Sequence, residues 1–216
     1  MTVSTMPPDA LLFVTPDCPH CASVMLGLAE LAKRGLVGRV TVVDAAAHPE
    51  RAAEYGVRAA PWVRLGPFTL TGEQSLAELR LWAEWANGEE GIARYVEQLL
   101  KLGEFQHAVA FVAADTQRLK PLLAILADTD AGIDMRLGVS ALLERYADTP
   151  ELRMWLPQLA ELSRHADHRV RADACHLLGL TGSAEALGHV EACLSDESEE
   201  VREIAAEAMQ RLGGTA

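Results

Sequence analysis

Aromatic side chains are scarce in this chain: four Trp, three Tyr and four Phe among 216 residues. With Ala and Leu plentiful, that scarcity favours helix-on-helix packing with small contact residues over an all-β sandwich. Positive charge is in deficit, with 19 Lys and Arg against 31 Asp and Glu and a net charge of −12. A nucleic-acid grip needs a basic face, so no nucleic-acid partner is expected. Long apolar runs are missing too, and none approaches the ~20 residues of a membrane helix. Met1 to Asp9 has no Lys or Arg and lacks the basic and apolar regions of a secretory signal. The expectation is a soluble, cytoplasmic protein with no membrane contact. A Gly-rich dinucleotide fingerprint is absent, so no built-in nicotinamide or flavin cofactor is expected.

What is present is unevenly spread. Residues 1–88 carry 7 Lys and Arg and 9 Asp and Glu, while residues 89–216 carry 12 and 22. Seven of the ten prolines lie at or before Pro67. Half of the residues are apolar, enough for a packed core. The shift in character predicts two domains, 1–88 and 89–216.

In the first, Ala10 to Val14 (ALLFV) is a short apolar run of the kind that forms a buried strand. Ala22 to Arg34 places Val24, Met25, Leu28 and Leu31 at helical spacing, with Gly35 to end the helix. Arg39 to Asp44 is β-branched and predicts a second strand. A short helix over Pro49 to Tyr55, strands at Pro61 to Leu65 and Pro67 to Thr71, and a helix over Gln74 to Ala86 complete the order β-α-β-α-β-β-α.

Between the first strand and the first helix stands Cys18-Pro19-His20-Cys21. Two thiols at i and i+3 at a helix start share a face and can close a small disulfide. The helix N-terminus stabilises a thiolate on Cys18, the nucleophile of thiol–disulfide exchange, and Cys21 would resolve the mixed disulfide. Pro19 suits the first helical position. His20 can add positive charge beside Cys18, and Asp17 opposes it. The alternative is half of a zinc site. Four ligands would be needed, and Cys175 and Cys193 lie far off with no second CxxC or HxxxH, so no metal is expected.

Phe13 to Cys21 (FVTPDCPHC) resembles the active-site strand and turn of the thioredoxin superfamily, closest to the glutaredoxin-like protein disulfide oxidoreductases. Tyr55 to Val63 (YGVRAAPWV) is similar to the family's stretch ending in the cis-proline loop. The resemblance covers about residues 8–88. It implies an α/β thioredoxin-like domain with a central mixed sheet. It also implies that Pro61 is cis and faces the CxxC sulfurs, and that Ala60 offers main-chain groups to an extended peptide substrate. The Pro19-His20 dipeptide occurs in the oxidising members. Two positions depart from the family: Leu12 stands where many members carry a buried acid, and Asp17 where Trp is frequent. Trp62 reads as core or cleft wall.

From Ile92 the strand signals vanish. Amphipathic segments pair up: 92–102 with 105–114, 118–127 with 133–147, 152–165 with 168–180, and 184–194 with 199–212. Val170-Arg171-Ala172-Asp173-Ala174 recurs as Val201-Arg202-Glu203-Ile204-Ala205, with a weaker copy at Met135-Arg136. Periods of this size mean stacked helical hairpins. Asp167 to Gly179 is similar to the short bacterial form of HEAT-type repeats, which implies an all-α second domain for protein recognition. Arg171 and Arg202 stand at helix starts, the wrong end of the dipole for a cation. They are expected to ladder with acids of the neighbouring repeat. Cys175 and Cys193 read as small core residues, and His165, His168, His176 and His189 as scattered surface and core residues.

The function expected is a thiol–disulfide oxidoreductase acting on a protein partner that carries cysteine or a disulfide. An external thiol or reductase would supply its electrons, and the repeats would select the partner. The short Asn87-to-Gly91 connection is expected to hold the repeats beside the oxidoreductase domain. A redox-regulated adaptor and a non-catalytic interaction scaffold are the alternatives.

Overall fold

The apolar run Ala10–Val14 forms strand β1 of a four-stranded sheet in the computed structural model, which describes residues 6–213. Strand β2 (Val40–Asp44) pairs parallel to β1. Strands β3 (Trp62–Leu65) and β4 (Phe68–Thr71) add antiparallel on the other side, giving the order β2-β1-β3-β4. A parallel neighbour requires a crossover, and helix α1 (Cys21–Lys33) provides it. Helix α2 (Pro49–Glu54) precedes β3, and helix α3 (Leu76–Trp85) follows β4. Ser75 and Glu78 close a reciprocal capping box at the start of α3.

Alternation along the strands decides which side chains face which helices. Phe13, Val43 and Trp62 form one buried cluster with Ala52 of α2. Leu12 and Val63, a cross-strand pair on the opposite face, are also fully buried. Their cover comes from α1 and α3, which pack on each other at Gly27 and Leu79.

The chain divides into two compact units between Tyr95 and Val96, inside helix α4 (Glu89–Lys101), rather than at residue 88. Tyr95 explains the displacement. Its ring lies 5.0 Å from Phe68 and 5.7 Å from Trp82. Its hydroxyl accepts from the Thr69 N–H at 3.0 Å and donates to the Thr69 carbonyl at 2.8 Å. Strand β4 is an edge, and this one hydroxyl satisfies two main-chain groups there. The expected linker also differs. Helix α4 begins at Glu89, so Gly91 lies inside it, where a Cβ would meet the Trp85 carbonyl.

The second unit is helical: α5 (Phe105–Ala113), α6 (Leu119–Ala127), α7 (Ile133–Glu144), α8 (Pro150–Arg153), α9 (Leu156–Leu162), α10 (His168–Leu180), α11 (Leu187–Cys193) and α12 (Glu199–Arg211). The segment expected to be continuous from 152 is broken into α8 and α9. Pro157 lacks an N–H for the preceding turn, and it stands in the first turn of α9, where none is needed. Helix α10 is central, packed against α7, α9, α11 and α12. It approaches α12 closely at Gly179, where an added Cβ would sit 2.7 Å from Ala208 Cβ and 3.0 Å from Ala208 Cα. Gly179→Ala gains about 1 kcal/mol of helix propensity but overpacks a backbone contact, at a cost of about 1–3 kcal/mol. The expected outcome is a net loss of about 1 kcal/mol in urea unfolding. A stabilised variant would show that α10 and α12 separate freely.

Candidate functional site

The chain leaves the sheet at Val14 and turns through Thr15 to His20, with the Cys18 N–H donating to the Thr15 carbonyl at 3.2 Å. Cys18 and Cys21 are joined as a disulfide, their Cα atoms 5.5 Å apart. Cys18 is half-buried, whereas Cys21 is 6% exposed. The two cysteines therefore differ in exposure, the first being the more accessible.

Helix α1 opens at Cys21, later than expected for Pro19. Pro19 and His20 form an exposed turn ahead of it, so Cys18 itself lies outside the helix and only Cys21 occupies its first turn. The N-cap residue is His20, whose carbonyl accepts from the Val24 N–H at 3.2 Å and from the Ser23 hydroxyl at 2.8 Å. Its ring does not cap the helix. Nδ1 instead stands 3.0 Å from the Glu73 carboxylate, just past β4. Sequence reasoning missed Glu73, because its closeness to the CxxC turn arises from the β3–β4 hairpin rather than from any local motif. Asp17 is exposed beside Cys18. Leu12 is fully buried in the sheet.

The Ala60–Pro61 peptide bond is cis. Pro61 is buried and Ala60 half-buried. Trp62 pairs with Phe13, so Pro61 falls level with Val14, at the edge of the sheet from which the CxxC turn departs. The sheet register thus brings together two segments more than forty positions apart in sequence. Trp62 is 5% exposed and lies edge-on to Phe13 at 5.6 Å, which makes it core.

The other two cysteines do not join this site. Cys175 of α10 and Cys193 of α11 are buried free thiols. A hydrogen bond with Cys193, followed by burial, pushes the Cys175 thiol far up, so it stays protonated. Cys193 donates to the His189 carbonyl at 3.4 Å. Among the described residues no cluster of three or more His, Cys, Asp or Glu is arranged to hold a metal ion, and no helix is long and apolar enough to cross a membrane.

In the helical unit, three arginines share one task. Arg171, 7% exposed, donates to both Asp196 carboxylate oxygens at 2.7 and 2.8 Å, and to the His165 and Ala166 carbonyls at 2.9 and 2.8 Å. Arg136, buried in the weakest sequence copy, reaches the Leu126 and Asp128 carbonyls and pairs with Asp173 of α10. Arg202 reaches the Asp196 and Glu197 carbonyls at 2.8 and 3.1 Å, and among the described residues no carboxylate pairs with it, unlike the expected ladder. Each arginine sits at the start of its own helix, but its guanidinium meets carbonyls at or just beyond the end of the preceding one. For Arg136 the Leu126 carbonyl belongs to the last turn of α6, the negative end of that helix, while Arg171 and Arg202 tie down the carbonyls of the turns that follow α9 and α11.

Comparison with known proteins agrees with this pattern. No curated protein matches the chain. Residues 119–210, spanning α6 to most of α12 and leaving α4 and α5 outside, match the family model described as HEAT repeats. The C-terminal region of this chain is therefore built of HEAT repeats.

Proposed function

We propose that the protein is a thiol–disulfide oxidoreductase of thioredoxin-like fold whose HEAT repeats engage the protein partner. The observation that carries this reading is the Cys18–Cys21 disulfide, set between a central strand and a helix with its first sulfur the more accessible. The sheet order and the position of Pro61 at the same sheet edge add support. Ala60, half-buried beside Pro61, is the residue we assign to main-chain contact with an extended substrate.

In the reducing direction, the Cys18 thiolate attacks one sulfur of a substrate disulfide. A Cys18–substrate disulfide forms and the other substrate sulfur leaves as a thiolate. The Cys21 thiolate then attacks the Cys18 sulfur, closing the Cys18–Cys21 disulfide and expelling the second substrate thiolate. The substrate gains two electrons and the dithiol loses two. An external thiol or reductase restores the dithiol, and the reverse sequence oxidises a substrate dithiol.

The test is a turnover assay with oxidised glutathione or a chromogenic aromatic disulfide and a small thiol as electron source. Failure of the reduced protein to release thiol from either would overturn the reading. The reduced protein is also expected to be alkylated at Cys18 before Cys21, as peptide mapping after brief labelling at mildly acid pH would show. First labelling of Cys21 would reverse the two roles. A second reading, a redox-regulated or non-catalytic interaction scaffold, is favoured by the HEAT match alone.

A further inference from the structure

Thr41, Leu11 and Arg64 form one row across β2, β1 and β3, since Leu11 pairs with Thr41 in one ladder and with Arg64 in the other. The row is two residues from Val43, Phe13 and Trp62 and shares their face of the sheet. Helix α2 covers the Phe13 part of that face. It has six residues and spans about 9 Å, whereas the five-residue β1 runs about 16 Å. The uncovered stretch is a concavity of about 280 Å³ whose polar lining is Asp9, Arg39, Thr41, Arg51, Tyr55 and Arg64.

Three guanidiniums around one hollow are unexpected in a chain of net charge −12. Among the described residues the Asp9 carboxylate engages Arg39 alone, accepting from Nη2 at 2.7 Å and from the Arg39 N–H at 2.9 Å. The main-chain hydrogen bond from Arg39 is the largest influence holding the Asp9 carboxyl below its ordinary range. Among the described residues no carboxylate pairs with Arg51 or Arg64. The Arg64 guanidinium lies over the Tyr55 ring, 6.0 Å from its centroid. Three cations against one anion leave an excess of two positive charges facing one space. All three arginines are exposed, so water screens their mutual repulsion, and their common sign draws an anion to the space between them. Guanidinium forks match phosphate oxygens two at a time, and Tyr55 and Thr41 line the same hollow. The volume is below the usual span of drug-sized pockets, about 300–1,000 Å³, so the ligand is small.

We propose that this hollow is a binding site for a small phosphorylated molecule, held by Arg51 and Arg64 with Arg39 at its rim. It opens where β1 enters the sheet, at the opposite end from Val14 and the CxxC turn, so it stands apart from the redox reading and does not depend on it.

Inorganic pyrophosphate is the probe. Calorimetric titration of the full chain at low salt is expected to show saturable binding at one site. Arg51→Gln and Arg64→Gln should each weaken it by about 10-fold or more, as loss of a charge-assisted contact does. Arg58→Gln, exposed and outside the hollow, should leave it unchanged. Amide resonances of Leu11 and Thr41 should shift on titration. Absence of saturable binding, equal weakening by Arg58→Gln, or shifts confined to other regions would overturn the proposal.

Discussion

Cys18→Ser is expected to lower the rate of small-disulfide reduction by at least about 1,000-fold, the scale seen when a covalent nucleophile is removed. A serine hydroxyl does not ionise near neutrality and forms no bond with a disulfide sulfur, so the whole sequence of exchange stops at its first step. Cys21→Ser is expected to behave differently. Cys18 would still attack, but no second thiol would release the substrate, and mixed disulfides would accumulate on non-reducing gels. The access difference between half-buried Cys18 and buried Cys21 underlies this asymmetry. Cys175→Ala should leave turnover unchanged, since that thiol is buried in α10 and held protonated. Retained turnover in Cys18→Ser, or trapping by it instead of by Cys21→Ser, would remove the proposed chemistry.

Arg171→Ala is expected to cost about 3–5 kcal/mol of stability, the range for breaking a buried pair by removing one partner. The substitution leaves the Asp196 carboxylate, only 11% exposed, with the Ser198 N–H in place of a paired charge, and strips two carbonyls beyond the end of α9 of their donor. Arg202→Ala should cost about 1 kcal/mol or less, because Arg202 is exposed and binds carbonyls that water can satisfy. Urea unfolding at neutral pH would measure both. Equal costs would mean that the buried network carries no special weight. A pH signature accompanies the larger loss. The hydrogen bonds from Arg171 are the largest influence holding the Asp196 carboxyl below its ordinary range. Its folded value therefore lies below its unfolded one. The stabilisation is present above the unfolded carboxylate range, near 3.9, and disappears as pH falls through the lower folded value. Arg171→Ala should accordingly flatten the acid side of the stability curve. Asp173 has the opposite sign, since burial raises its carboxyl despite Arg136. Its contribution is common to both proteins and cancels in the difference between them.

Much of this molecule was legible in its sequence because the signals are local. A five-residue apolar run, a CxxC turn, β-branched strands and a Pro-rich first third predict the element order of the first unit, and β1 to α3 follow it. The Val-Arg recurrence predicts helical hairpins, and the HEAT match falls on them. The repeated arginine signalled its position and, for Arg171, its acidic partner in the neighbouring repeat, whereas Arg202 meets carbonyls instead. What lay beyond local signals was decided by tertiary packing. The Tyr95 ring and hydroxyl carry the division between units into α4, because an edge strand needs its main-chain groups satisfied by something distant in sequence. Strand register places Pro61 level with Val14, where the chain departs for the CxxC turn, and the β3–β4 hairpin brings Glu73 to His20. The length of α2 against that of β1 leaves part of a sheet face open, so three arginines scattered through the sequence line one hollow. Periodicity and turn chemistry act over a few residues and are written in the sequence. Pairings between distant segments depend on which faces must be buried together, and that is settled only when the chain folds.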